Sequence, residues 1–140
     1  MARILFTGKI DSEFNGFDEN AVFKLNNGTY WVQDQYQYWY HYAYRPEATI
    51  SEENGRTILA VCGRSIPVKR IFDVIESKID GTFKGWEGNT KYKLINGQEW
   101  QQKEYKYEYK YAYRPEAIIC NIDGKYVMYV AETHAFVKQI

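Results

Sequence analysis

Several residue types are scarce in this chain. Its 140 residues include two cysteines, three prolines, two methionines and two histidines. Cys62 and Cys120 form no CxxC pair and lie far apart in sequence, so no disulfide framework is expected and both read as reduced, half-buried thiols. His41 and His134 belong to no HExxH or His-x-His spacing, so neither a metal nor any other cofactor is expected. Neither sign of charge is in excess: 18 Lys and Arg balance 18 Asp and Glu. With no overall field to gather polyanions, nucleic acid is a possible partner that the charge does not favour. Long apolar runs are missing too. The longest apolar patch, Ile58 to Cys62, suits one buried strand and falls far short of the roughly 18–20 residues that span a bilayer. Ile4-Leu5-Phe6 is too short for a secretory signal, so a cytoplasmic location without membrane insertion is expected.

Aromatic residues are abundant. Fourteen Tyr, seven Phe and four Trp make up 18% of the chain, while 45% hydrophobic and 26% charged residues are ordinary globular values. Sliding the sequence on itself accounts for the excess. At an offset of 69 residues and without a gap, Lys9-Ile-Asp falls on Lys78-Ile-Asp. Lys24-Leu-Asn-Asn-Gly falls on Lys93-Leu-Ile-Asn-Gly, and Tyr42-Ala-Tyr-Arg-Pro-Glu-Ala on the identical run from Tyr111. The match implies an internal duplication with domains at 1–71 and 72–140, each near the lower size at which a domain folds alone. Both halves are neutral, with eight residues of each sign in 1–70 and ten of each in 71–140. The junction Ile71-Phe-Asp-Val-Ile75 lacks Gly, Pro and Ser, which predicts a strand running straight from one unit into the next.

Within each copy the period is two. Tyr36, Tyr38, Tyr40, Tyr42 and Tyr44 alternate with other residues, as do Tyr105, Tyr107, Tyr109, Tyr111 and Tyr113, which is the pattern of a β-strand with its tyrosines on one face. Upstream, the apolar positions Tyr92, Leu94 and Trp100 are in the opposite phase. A bulge, bend or break is therefore expected between Gln102 and Glu104 and between Gln33 and Gln35. At Asn27-Gly28 and Asn96-Gly97, matching the faces requires three-residue loops that pair Phe23 with Trp31 and Tyr92 with Trp100. The same arithmetic at Asn54-Gly55 and Asp123-Gly124 would oppose Ile50 to Ile58 and Ile119 to Val127. Arg45 and Arg114, each before a proline, should be extended. In the second copy the expected strands are Lys78 to Phe83, Lys91 to Ile95, one long bent strand Gln98 to Tyr113, Ala117 to Ile122, Lys125 to Val130 and Phe136 to Ile140. No helix is expected. The fold class is all-β: two tandem small SH3-like β-barrels, with OB-like barrels as the alternative.

Lys93-Leu-Ile-Asn-Gly-Gln-Glu-Trp, followed by the tyrosine ladder and Tyr113-Arg-Pro, resembles a small repeat of uncharacterised bacterial proteins, and both copies carry it. The first copy departs from it where Thr29-Tyr30 stands for Gln98-Glu99. The resemblance implies a bacterial or phage origin and no particular activity.

The inventory for catalysis is poor. Asp11 and Asp80 recur after Lys-Ile, and Glu47 and Glu116 after Arg-Pro, but salt-bridge or turn roles suit them better than acid–base work. No enzyme is expected. The tyrosine rings could fill a barrel core with their hydroxyls at the rim. Five on one strand nevertheless exceed what so small a unit can bury, so some should be exposed. With Trp39 on the reverse face and Gln33, Gln35, Gln37, Gln101 and Gln102 nearby, such a face offers flat rings and neutral hydrogen-bonding groups. The candidate binding residues are Tyr36, Tyr38, Trp39, Tyr40, Tyr105, Tyr107 and Tyr109, with Arg45 and Arg114 able to stack on a neighbouring tyrosine. Mixed-charge, tyrosine-rich faces suit a protein partner or self-association. Single-stranded nucleic acid is the alternative, weakened because Lys106 and Lys110 are interleaved with Glu104 and Glu108.

Overall fold

Residues 3–19 and 21–140 are described by a computed structural model. The period-two patterning produces strands throughout, and no helix occurs among the described residues. The chain divides into two compact units, Met1–Phe72 and Asp73–Ile140. Unit 1 contains β1 (Arg3–Lys9), β2 (Glu13–Phe17), β3 (Val22–Lys24), β4 (Tyr30–Gln33), β5 (Trp39–Tyr44), β6 (Glu47–Glu53), β7 (Arg56–Val61) and β8 (Arg64–Ile71). Unit 2 contains β9 (Val74–Lys78), β10 (Thr82–Glu87), β11 (Lys91–Lys93), β12 (Glu99–Gln102), β13 (Tyr107–Tyr113), β14 (Glu116–Ile122), β15 (Lys125–Val130) and β16 (Thr133–Gln139).

Six strands of unit 1 form one antiparallel sheet in the order β1-β6-β7-β8-β4-β3, and β2 pairs with β5 in a separate ribbon. Unit 2 repeats the arrangement strand for strand, as β9-β14-β15-β16-β12-β11 with the ribbon β10-β13. The outer strands of each large sheet meet at one corner. In unit 1 an Ile10–Leu25 bridge joins them, flanked by Asp11 N–H to Lys24 O at 2.8 Å and Asn26 N–H to Lys9 O at 2.9 Å. An Ile79–Leu94 bridge does the same in unit 2. Closure of this kind satisfies backbone groups that an open edge would leave unpaired.

Inward-facing positions build one core per unit. Phe14, Phe17, Phe23, Leu25, Ile50, Leu59 and Ile66 are buried together in unit 1, and Phe83, Trp86, Tyr92, Leu94, Trp100, Ile119 and Met128 in unit 2. The ribbon's inner face belongs to this core, as Phe14 and Phe17 on β2 show. A register shift between Phe14 and Gly16, and again between Phe83 and Gly85, marks a bulge in each ribbon. Both glycines have positive φ, and a β-carbon would collide with the carbonyl oxygen of Trp39 or of Glu108. Only glycine allows that approach.

The first hairpin has the register that its faces require: Phe23 opposes Trp31, Tyr92 opposes Trp100, and Leu94 N–H donates to Gln98 O at 2.9 Å. The second hairpin corrects the sequence reading by one residue. Ile50 opposes Leu59 and Ile119 opposes Met128, because Asn54-Gly55 and Asp123-Gly124 are two-residue turns with positive φ at both positions, a geometry whose twist matches the strands. The segment read as one strand from Lys78 to Phe83 turns at Gly81 (φ +111), leaving β9 and β10 in different sheets. The strand expected across the junction stops at Ile71 and resumes at Val74.

Arg45 and Arg114 are not extended; both have φ +47. There the Arg45 N–H donates to Ser12 O at 2.9 Å and the Ile10 N–H to Pro46 O at 3.0 Å, with Arg114 to Gly81 and Ile79 to Pro115 matching at 2.8 and 3.0 Å. These bonds fold β5 into β6, and β13 into β14, tightly enough to override the pre-proline preference.

Candidate binding surface

All ten ladder tyrosines are exposed. Their relative exposures run from 53% at Tyr42 to 85% at Tyr105, so no ring of either ladder contributes to a core. The reason is topological. β5 and β13 lie in two-stranded ribbons that pack one face inward, so the alternating tyrosines are left on the other. The ladders are not single long strands. Tyr36 and Tyr38 precede β5 and Tyr105 precedes β13, where the chain leaves the large sheet for the ribbon. At that crossing Tyr105 and Tyr107 make an edge-to-face contact with ring centroids 5.2 Å apart.

The break is held by a buried amide. Gln33 is 4% exposed and Gln102 3%, which removes both from the neutral surface groups expected beside the tyrosines. Gln33 Nε2 donates to the carbonyls of Gln35 and Gln37 at 3.0 and 3.1 Å, while its Oε1 accepts from the Asp18 N–H at 3.0 Å. Gln102 Nε2 donates to Glu104 and Lys106 at 2.8 Å each, and its Oε1 accepts from the Glu87 N–H at 3.2 Å. One side chain therefore satisfies three backbone groups that no strand ladder reaches. This role was missed in the sequence. Its signal was a glutamine kept at the phase break of both copies.

Trp39 lies on the reverse face of its ribbon. Its ring is 5.2 Å from Phe17 and 6.1 Å from Phe14, stacks on His41 at 4.8 Å, and is covered by the Arg64 guanidinium at 4.6 Å. It braces the ladder from behind. In unit 2 the equivalent Glu108 accepts from Thr133 Oγ1 at 2.7 Å, and Thr133 in turn accepts from Trp86 Nε1 at 3.0 Å. Arg45 pairs with Asp11 at 3.7 Å, and Asp11 also pairs with Lys24 at 3.7 Å, so this acid occupies a surface ion-pair network. Lys106 pairs with Glu108 and Lys110 with Glu132, both at 3.7 Å, so the lysines interleaved with the second ladder are already countered by carboxylates.

Burial pushes the Cys120 thiol up to about 12 and raises that of Cys62. The Tyr92 hydroxyl, which donates to Gly85 O at 2.6 Å, is pushed up to about 12 mainly by burial, and burial also raises Tyr129. Among the described residues no group of three or more His, Cys, Asp or Glu could hold a metal ion, and no helix is long and apolar enough to cross a membrane. No protein-family model, curated protein or solved structure matches the chain.

Proposed function

We propose that this chain is a non-enzymatic binding or adaptor module, cytoplasmic, that recognises a protein partner or a second copy of itself through its tyrosine faces. The exposure of all ten ladder rings carries the reading. Tyrosine offers large, rigid contact area with a hydroxyl for hydrogen bonding and loses little conformational entropy when it binds. Contiguous exposed rings on a small domain mark an interaction surface. Tyr36, Tyr38 and Tyr40 in unit 1 and Tyr105, Tyr107 and Tyr109 in unit 2 form the contact, and Arg45 and Arg114 border it. Each unit is read as a small SH3-like barrel, the two arising by duplication.

Rows of exposed rings also suit stacked bases, which keeps single-stranded nucleic acid as the second reading. The ion pairs of Lys106 and Lys110 count against it, because they leave less free positive charge for phosphates. Photo-crosslinking groups placed at Tyr38 and Tyr107 separate the two. Cross-links to protein that persist at high salt support the proposal. Capture of nucleic acid, weakening steeply with salt, would overturn it. With the probes kept at positions 38 and 107, replacing Tyr36, Tyr40, Tyr105 and Tyr109 by Ser should abolish cross-linking while changing unfolding free energy by no more than about 0.5 kcal/mol per site, since the rings bury little.

A further inference from the structure

Among the positions where the two units differ on the outer face of the large sheet is one row of three cross-strand neighbours. In unit 1 Thr49 faces Ala60 and Ala60 faces Ser65; in unit 2 the corresponding row is Ile118, Tyr129 and His134. These side chains lie on the outer face because the residues flanking Ala60 and Tyr129, namely Leu59, Val61, Met128 and Val130, are all core. The backbone beneath is the same in both. The turns that follow, Cys62-Gly63 and Ala131-Glu132, have φ of 52 and 79 in one and 50 and 66 in the other.

Unit 2 fills its row from within. The Tyr129 ring stacks on the His134 imidazole with centroids 5.1 Å apart and planes inclined by 28°. Unit 1 has small side chains at both places, and there a shallow, solvent-open groove of 450 Å³ lies, with Glu47, Thr49, Ala60, Cys62, Arg64 and Ser65 in its wall. The groove is open to solvent, so an occupant lays one face against its wall and is not enclosed. Its wall also carries hydrogen-bonding groups: the Thr49 hydroxyl stands where unit 2 has Ile118, the Ser65 hydroxyl where it has His134, and the Glu47 carboxylate recurs in unit 2 as Glu116.

We infer that the unit 1 groove receives a tyrosine side chain of a partner polypeptide, in the place that Tyr129 fills from within in unit 2. The ring lies over Ala60, and its hydroxyl has Thr49, Ser65 and Glu47 within the same wall as partners. This site is on the large sheet and does not depend on the ladder reading.

The test titrates the full isotope-labelled chain with a blocked Gly-Tyr-Gly peptide and with p-cresol, following backbone amide shifts. The expected result is one saturable site, with shifts centred on Thr49, Ala60 and Ser65 and the peptide bound several-fold more tightly than p-cresol. Ala60→Tyr with Ser65→His copies the filled row and should weaken the peptide at least tenfold. Tyr129→Ala with His134→Ser should open a second site centred on Ile118, and this gain does not require the first variant to fold. Shifts absent from the Thr49 row, spread equally over both units in the wild type, or retained in the filled variant would overturn the inference. Tighter binding of p-cresol than of the peptide would assign the groove to a free phenol and overturn the polypeptide occupant.

Discussion

Gln33 and Gln102 are the residues on which each tyrosine segment hangs. Each amide lies in a nearly dry site and bridges the two chain segments that meet at the entry to the ribbon. Gln102→Ala would strand the Glu104 and Lys106 carbonyls and the Glu87 N–H, and should lower the unfolding free energy by about 2–3 kcal/mol. Urea denaturation measures this, and a loss below about 0.5 kcal/mol would show that water replaces the amide. Gly85 is the second such position. A methyl group there meets the Glu108 carbonyl at a φ of 98, so Gly85→Ala should cost about 3 kcal/mol or more and loosen the β10-β13 ribbon, read as faster amide exchange in Tyr107 to Tyr113. Neither role is a matter of residue type. Glutamine is usually a surface residue and glycine usually a turn residue, and only the crossing of two segments gives them these tasks.

Between neighbouring strands, the local code was legible where side-chain faces and turn chemistry agreed and failed where they had to be weighed. The Asn-Gly loops after Leu25 and Leu94 require a particular face pairing, and the strands obey it. At Asn54-Gly55 and Asp123-Gly124 the same face arithmetic gave the wrong register. Both residues of those turns take positive φ, and the preference of Asn-Gly and Asp-Gly for that geometry decided the loop length. The β15-β16 turn has the same shape without a glycine, since Ala131 and Glu132 sit at φ 50 and 66. Alanine and glutamate are strained there, so Ala131→Asn with Glu132→Gly should raise stability by about 1 kcal/mol. A thermal scan showing no rise in Tm would indicate that the lost Lys110–Glu132 ion pair matters as much as the relieved backbone.

For the molecule as a whole, the two units share a strand order but differ in what they bury. Unit 2 holds Tyr92, Cys120 and Tyr129, all neutral acids whose ionisation burial opposes. Unit 1 has the raised Cys62 thiol, which is only partly buried. The unfolded chain ionises its thiols near 9 and its phenols near 10, while the native chain keeps these groups neutral to higher pH. Unfolding then releases protons, and stability falls as pH rises from about 9 toward 12, at about 1.4 kcal/mol per pH unit for each group involved. Unit 2 should therefore lose structure first on alkaline titration. The indole resonances of Trp86 and Trp100, followed against those of Trp31 and Trp39, measure the order, and earlier loss in unit 1 would contradict it.

What the amino-acid sequence determined by itself was the period-two strand pattern, the repeat at 69 residues and the first hairpin, because these depend on neighbours a few positions apart or on one segment compared with another. The exposure of the tyrosines was decided only by the tertiary structure. An alternating strand has two faces, and its own residues do not say which one meets the core. The ten rings face outward because β5 and β13 leave the large sheets at a glutamine-held break and pair with β2 and β10, whose phenylalanines and whose Trp86 complete the core. The open row at Ala60 was undetermined for the same reason: a small residue becomes a groove only when the strands beside it leave the space unfilled.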